Sequence, residues 1–201
     1  MMSLRLVVRY LAALVLLLAI LPIIPGQAQL NEPLGKDLHG GPVRELSGAG
    51  VRVVVLYFAS TDCPISNRYI PEIARLKREF GDAGVRVWWV YPNPGDTAEV
   101  VERHRRDFSI AGDAVLDWRQ RLVAMAHVGV TPEAAVFVVQ GPVLREVYHG
   151  RVDDRYLSLG RERPQAGRHD LEAAIRAAVA GKPVPQPGGP PVGCSVVFVP
   201  K

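Results

Sequence analysis

Two cysteines, Cys63 and Cys194, are the residues of this 201-residue chain whose type most directly supports covalent chemistry. In the oxidising surroundings of an exported protein, a single pair of cysteines commonly forms one disulfide. The bond could be a permanent bridge, which for so long a loop contributes roughly 2–5 kcal/mol of stability. It could instead open and close as a redox site. The cysteine count leaves both interpretations open.

Cys63 lies between a predicted buried strand that ends at Ala59 and a predicted helix that begins near Ser66. In a parallel sheet such a turn is at the carboxyl edge, where α/β folds place their sites. The free amides and the macrodipole of a helix's first turn favour an anion, so they lower the pKa of a thiol located there. Pro64 fits the first helical turn because its missing N–H has no intrahelical partner to lose. We therefore expect an exposed, nucleophilic thiolate at Cys63.

Ser66 lies three residues after Cys63, where a Cys-x-x-Cys redox pair has its second sulfur. A hydroxyl at this spacing can donate a hydrogen bond to a thiolate. It cannot displace the partner from a mixed disulfide, so that step needs a sulfur from elsewhere in the chain.

Alternating strand and helix patterns must hold this turn in place. The run from Val51 to Ala59 is almost wholly β-branched or aromatic, which predicts a central strand buried on both faces. The following pattern has apolar residues at helical spacing and predicts an amphipathic helix that ends at Gly81. The further predicted elements are a strand from Val85 to Tyr91, a turn from Pro92 to Asp96 with Asp96 as the capping acid, a helix from Thr97 to Phe108, a strand from Ala114 to Asp117, a helix from Trp118 to His127, a hairpin of Ala134 to Val139 with Leu144 to His149, and a helix from Asp170 to Ala180.

This order predicts an α/β domain of three layers, with a central mixed sheet flanked by helices. Leu30 to Gly50 is rich in glycine and proline and predicts an initial loop with a short strand. Lys182 to Pro191 is rich in the same residues and predicts an extended tail that delivers Cys194 to some surface.

The N-terminus predicts an export signal. Arg5 and Arg9 precede an apolar run of about 15 residues, which is shorter than the roughly 20 that a membrane-spanning helix needs, and small residues end at Ala28. We place cleavage after Ala28, with an uncleaved membrane anchor as the second option. The predicted divisions are therefore a signal peptide at 1–28, a domain at 29–181 and a tail at 182–201 that carries Cys194.

The charge balance argues against nucleic acid as a partner. Loss of the signal removes two arginines and no acid, which lowers the net charge from +4 to +2. The basic cluster from Arg103 to Arg106 is flanked by acids, as expected of a solvated helix face. No basic stripe with interleaved aromatic residues is present.

The segment from Phe58 to Glu72 resembles the active-site segment of bacterial exported redoxins. These belong to the thioredoxin-like group that includes the alkyl hydroperoxide reductase/thiol-specific antioxidant (AhpC/TSA) proteins. The likeness continues through Val130 to Ala134, through Tyr148 to Tyr156 and into Pro191 to Cys194, so it covers about residues 30 to 196.

The resemblance implies a thioredoxin-like fold in which Cys63 is the attacking thiol and Pro132 is a cis-proline facing it. It also implies that Thr131 presents backbone groups to a bound thiol or peptide. The second cysteine of thioredoxins is Ser66 here, and the Thr-x-x-Cys spacing of peroxiredoxins is one residue shorter between Thr61 and Cys63. Cys194 is then the candidate resolving cysteine, provided that the tail brings its Cα within about 7 Å of that of Cys63.

We expect neither a metal nor another cofactor. The five histidines are scattered, and no two share a spacing that builds a site on one helix face. A site of Cys63 and Cys194 with His127 or His149 is the alternative. The absence of Cys-x-x-Cys-His excludes covalent haem attachment of the c type.

The leading hypothesis is a periplasmic or secreted thiol-disulfide oxidoreductase or thiol-dependent reductase. Its partners would be protein or small-molecule thiols and disulfides, together with an electron donor that the sequence does not name. One alternative is a noncatalytic thioredoxin-fold binding module of the cell envelope with a structural Cys63–Cys194 disulfide. Another is a thiol peroxidase, in which Cys63 passes through a sulfenic acid.

Overall fold

The structure, a computed structural model, describes residues 32–200. A seven-stranded mixed sheet forms the centre of this part of the chain. Four α-helices and a short 3-10 helix accompany the strands in this part of the chain. The helices are α1 (Pro64–Phe80), α2 (Ala98–Asp107), α3 (Arg121–Met125) and α4 (Asp170–Val179), and the 3-10 helix is Gly81–Ala83. The strands are β1 (Gly35–Lys36), β2 (Pro42–Val43), β3 (Val53–Phe58), β4 (Val85–Tyr91), β5 (Asp113–Leu116), β6 (Val130–Thr131), β7 (Glu133–Gln140), β8 (Val143–Gly150), β9 (Tyr156–Ser158), β10 (Arg161–Glu162) and β11 (Cys194–Ser195).

The main sheet has the order β2-β1-β5-β4-β3-β7-β8. Strands β3, β4 and β5 are parallel, whereas β7, β8, β1 and β2 pair antiparallel with their neighbours. The prediction of an α/β fold with a mixed sheet is therefore confirmed. The carboxyl ends of β3, β4 and β5 meet at one edge of the sheet, and the residues that follow them form the site described below.

The central strand is buried on both faces, as its sequence predicts. All six residues of β3 are buried, and the neighbouring β4 sends Trp88 and Trp89 to opposite sides of the sheet. The Trp89 ring packs edge-on against Tyr57 at 5.2 Å between centroids. The Trp88 indole N–H donates to the Leu46 carbonyl at 2.8 Å on the other side. Core packing thus accounts for both tryptophans.

Helices cover the two faces of the sheet unequally. On one face, α1 and α4 bury their apolar stripes against the strands, with Ile73, Leu76 and Leu171 almost fully enclosed. The other face is covered by the short helix α3, by the initial loop and by a residue of the tail, Val196. The C-terminal tail is therefore part of the second core.

Helix α3 is shorter than the predicted helix from Trp118 to His127. It starts at Arg121 because Gln120 has a left-handed backbone with φ 53°. The Asp117 carboxylate accepts hydrogen bonds from the amides of Arg121 at 2.7 Å and Val123 at 2.9 Å. These amides belong to the first turn of the helix, where they have no acceptor within the helix. His127, with φ 53°, follows the helix and turns the chain towards β6.

The predicted export signal lies outside the described residues, and the predicted boundaries at 28 and 181 remain predictions. From Pro33 onward the described chain belongs to one compact unit. None of the helices between residues 32 and 200 has the length and apolar character needed to cross a bilayer.

Candidate active site

Cys63 is the N-cap residue of α1. Its backbone is extended, and Pro64 follows as the first helical residue. The Cys63 amide donates to the Ser60 carbonyl at 3.2 Å, and its own carbonyl accepts from the Asn67 amide at 3.0 Å. The first turn of α1 contains no acidic residue, so the positive end of the helix macrodipole acts on the sulfur without a competing charge in that turn.

Cys194 and the Thr131–Pro132 loop meet at this sulfur. The peptide bond between Thr131 and Pro132 is cis, as the resemblance implies. The Cys63 Sγ lies 3.1 Å from the Thr131 carbonyl oxygen and 2.7 Å from the Cys194 Sγ. Both cysteines are free thiols in this structure. Three of the residues that the sequence singled out are thus in direct contact, although they are widely separated in the chain.

The two thiols differ in acidity. Burial raises the pKa of the Cys63 thiol, but hydrogen bonds from the Cys194 thiol and from the hydroxyl and amide of Ser66 stabilise the thiolate, and the net effect lowers the pKa. The Thr131 carbonyl, an acceptor, opposes this by favouring the protonated thiol. Burial, the hydrogen bond to Cys63 and the charges of Cys63 and Asp62 raise the pKa of Cys194 to about 12. Cys63 is therefore the more acidic thiol of the pair, and Cys194 holds its proton more tightly.

Cys63 is fully buried, which corrects the expectation of an exposed thiolate. Its sulfur contacts the Thr131 carbonyl and Cys194, and Cys194 itself is only partly buried. The cover comes from the C-terminal tail, because β11 pairs antiparallel with β6 so that Cys194 lies opposite Thr131 and Ser195 opposite Val130. Cys194 is 131 residues from Cys63 in the sequence, so the local pattern around Cys63 does not indicate that the tail covers it.

A profile of the AhpC/TSA family matches residues 27–145, which is more than half of the chain. The chain belongs to the AhpC/TSA family. The matched region includes Cys63 and Thr131, whereas Cys194 lies beyond it. A search of curated proteins found no matching sequence.

Two solved structures share the fold of this AhpC/TSA protein, which is thioredoxin-like. An uncharacterized conserved protein from Geobacillus kaustophilus is 23% identical with a TM-score of 0.67, and the alignment covers 84% of this chain and 89% of that one. A hypothetical protein, SMc02350, from Sinorhizobium meliloti 1021 is 22% identical with a TM-score of 0.65, and the alignment covers 81% and 88%. A third solved structure, a secreted disulfide oxidoreductase from Mycobacterium tuberculosis, is 14% identical with a TM-score of 0.49, and the alignment covers 78% of this chain and 99% of that one.

Ser66 of this AhpC/TSA protein is buried one turn into α1. Its carbonyl accepts from the Tyr57 hydroxyl at 2.9 Å. Its own hydroxyl lies near the Cys63 sulfur and helps to lower the pKa of that thiol. Ser66 therefore lies beside the Cys63 sulfur, and the second thiol at this sulfur comes from Cys194.

A polar network that the sequence did not predict holds the residues around Cys63. The Asp96 carboxylate accepts from the Thr61 amide at 3.0 Å and from the Thr61 hydroxyl at 2.6 Å. The Asn67 side chain donates to the Thr61 carbonyl at 3.3 Å and lies 2.8 Å from the His104 Nε2. Burial raises the pKa of Asp96 and lowers the pKa of His104. The network ties the loop before Cys63 to α2 and to the turn after β4.

Asp96 is not the helix cap that the sequence predicts. Thr97 caps α2 instead, since its side chain accepts from the Val100 amide at 3.3 Å. Both residue types are common caps, so the local pattern could not choose between them. The location of Asp96 after β4, at the edge where α/β sites form, was the available signal for its role near Cys63.

The described residues give no cluster of metal-ligating side chains that includes Cys63 or Cys194. The rings of His127 and His149 lie 6.2 Å apart between centroids. The cluster with ligand-like spacing in residues 32–200 consists of Glu72, His169 and Glu172. Its two carboxylates already bind the Arg75 guanidinium, so this group is accounted for by ion pairing.

Proposed function

We propose that this AhpC/TSA protein is an exported thiol-disulfide oxidoreductase in which Cys63 is the nucleophile and Cys194 resolves the mixed disulfide. The observation that carries the proposal is the contact of two free thiols, 2.7 Å apart, beside the cis Thr131–Pro132 bond. The pKa of one thiol is lowered and that of the other is raised. A structural pair needs no difference in acidity, whereas thiol–disulfide exchange needs one thiolate and one proton-bearing partner.

In the first step, the Cys63 thiolate attacks one sulfur of a disulfide RS–SR. A bond forms between Cys63 and one RS group, and the other leaves as RS⁻, which takes up a proton. The position of Cys63 at the N-cap of α1 favours this step because the helix end stabilises the attacking anion.

In the second step, Cys194 gives up its proton and attacks the Cys63 sulfur. The second RS⁻ leaves and takes up a proton, so the substrate is reduced to two thiols while the protein forms the Cys63–Cys194 disulfide. The thiolate of Cys63 contributes two of the causes that raise the pKa of Cys194 to about 12. Both vanish once Cys63 is bonded to sulfur, so Cys194 becomes reactive after Cys63 has reacted. An external dithiol returns the protein to the reduced state.

Residues 1–28 support export, because a basic start, an apolar run and small residues before a cleavage site are the features of a signal peptide. In that location the substrates are thiols and disulfides of the periplasm or of the exterior, where disulfides persist. Cys63, Cys194, Thr131, Pro132 and Ser66 form the proposed site.

The test is the reaction of the reduced protein with oxidised glutathione, followed by acid quenching, alkylation and mass spectrometry. The native protein should accumulate the Cys63–Cys194 disulfide. Cys194→Ser should stop with glutathione bound at Cys63, and Cys63→Ser should leave Cys194 alkylatable. The proposal is wrong if Cys63→Ser reacts as fast as the native protein, or if the native protein does not react.

The complete burial of Cys63 favours a second candidate, a noncatalytic thioredoxin-fold module in which the two cysteines form a structural bridge. The two functions predict different reduction potentials for the Cys63–Cys194 bond. A structural bridge has a potential below about −300 mV, whereas a catalytic bond is more easily reduced. Equilibration in defined dithiol buffers decides between them.

A further inference from the structure

The strand that presents Thr131 to the site is already paired. β6 and β11 form a two-stranded sheet of their own in the described chain, with Cys194 opposite Thr131 and Ser195 opposite Val130. The Val196 amide extends the pairing by donating to the Gly129 carbonyl at 3.1 Å. An extended peptide that binds by strand addition needs a free edge, and the edge of β6 beside Cys63 is occupied by the tail.

The approach of the tail to the cis Thr131–Pro132 bond is very close. A methyl group in place of the hydrogen of Gly193 would lie 2.2 Å from the Thr131 carbonyl oxygen and 2.6 Å from its carbon. Only glycine lets the backbone pass here. No space for a second extended chain is left between Gly193 and the loop.

Residues beyond Cys194 anchor the tail to loops that follow β4 and β5. The Val197 amide donates to the Asn93 side-chain oxygen at 2.9 Å. The Gln120 side chain donates to the Val197 carbonyl at 2.7 Å and accepts from the Val199 amide at 3.0 Å. Val196 is only 3% exposed and packs in the core of the second face. The tail is therefore a docked strand with an apolar anchor on the far side of Cys194.

We propose that the tail strand, Gly193 to Val197, restricts the site to small disulfides and excludes extended polypeptides. This inference rests on the proposed function, and the chemistry is the exchange given above. Cys194 is partly exposed, so rotation of its side chain opens a path to the Cys63 sulfur for a small molecule. A polypeptide disulfide, whose chain continues on both sides of the sulfur, would meet the tail strand that already pairs with Val130 and Thr131.

The experiment compares two disulfides with the same sulfur chemistry. One is the disulfide of N-acetylcysteinamide, and the other is a disulfide-linked dimer of an extended nonapeptide with a central cysteine. The rate at which Cys63 of the reduced full chain loses its free thiol is measured by rapid alkylation and mass spectrometry. This readout counts the first exchange step, so it does not depend on resolution by Cys194.

Val196→Ser removes the apolar anchor of the tail. Val197→Ser is the matched control, because the same change one residue later affects a side chain that is 60% exposed. Gln120→Asn is a second release variant, since it shortens the amide that holds Val197 and Val199, and asparagine tolerates the left-handed backbone of this position.

The native protein and Val197→Ser should react with the small disulfide at least about tenfold faster than with the peptide dimer, which corresponds to about 1.4 kcal/mol. Both release variants should increase the peptide rate about tenfold or more relative to the rate with the small disulfide. Equal rates for the two disulfides in the native protein would overturn the specificity, as would release variants that change both rates alike. Failure of Cys63 to react with either disulfide in any of these proteins would instead overturn the proposed function.

Discussion

Gly193→Ala should make the Cys63–Cys194 disulfide easier to reduce. The added methyl group meets the Thr131 carbonyl oxygen at 2.2 Å, whereas ordinary contacts start at 3.4 Å. The atoms that it meets are backbone atoms, which cannot rotate away as the end of a flexible side chain could. The tail and the loop must therefore separate at Gly193.

The size of the effect follows from the cost of an extra methyl group in a closely packed place, which is about 1–3 kcal/mol. In the dithiol form no covalent bond joins the tail to Cys63, so we expect the tail of the variant to shift outwards at Gly193 and relieve this contact. In the disulfide form the bond to Cys63 holds the tail in place, so the cost falls on the oxidised state. Since about 30 mV corresponds to 1.4 kcal/mol for a two-electron couple, the reduction potential should rise by roughly 20–65 mV.

The assay is equilibration of the purified protein in a series of glutathione or dithiothreitol buffers, with the oxidised fraction read by alkylation. Gly129→Ala is the matched control. A methyl group there meets nothing within 4 Å, and Gly129 lies on the same loop, two residues before Thr131. An unchanged potential in Gly193→Ala, or an equal rise in Gly129→Ala, would refute the argument that the tail passes too close to Thr131 for any side chain.

Two further predictions concern titration. Burial raises the pKa of Asp117 to about 6, and a carboxyl group that holds its proton more tightly in the folded state lowers stability as pH rises from about 4 to about 6, by up to about 3 kcal/mol. Asp117→Asn should lack this decline in urea unfolding at a series of pH values, and a constant difference from the native protein across that range would contradict the assignment. In Cys63→Ala, the pKa of Cys194 should fall from about 12 towards its usual value of about 8.5, because the hydrogen bond and the charge of Cys63 are gone. Ultraviolet titration of the thiolate measures this shift, and a Cys194 thiol that still titrates near 12 would show that burial alone sets its pKa.

The elements that position Cys63 could be predicted because their patterns are local. The buried run before Ala59 and the helical spacing from Tyr69 to Phe80 correspond to β3 and α1, and the bounds of β4 are those predicted from its sequence. The sequence predicts a helix start near Ser66 with Pro64 in the first turn, whereas the helix begins at Pro64, so that Cys63 is its N-cap.

The burial of Cys63 could not be predicted in the same way. It depends on contacts of the tail with Asn93 and Gln120, whose sequence neighbours indicate only loops. The sequence predicts an extended tail rich in proline and glycine, but it does not indicate which surface this tail covers. The role of Asp96 could not be predicted for the same reason, since its partner Thr61 is 35 residues away in the sequence.

Asn93 connects the C-terminal tail to the turn before Cys63. Its amide nitrogen donates to the Ser60 hydroxyl at 3.0 Å, while its oxygen accepts from Val197. One side chain therefore holds both the C-terminal tail and the turn that precedes Cys63. Release of the tail would remove one of the two hydrogen bonds of Asn93, so we expect the turn that carries Cys63 to become more mobile when the tail is released.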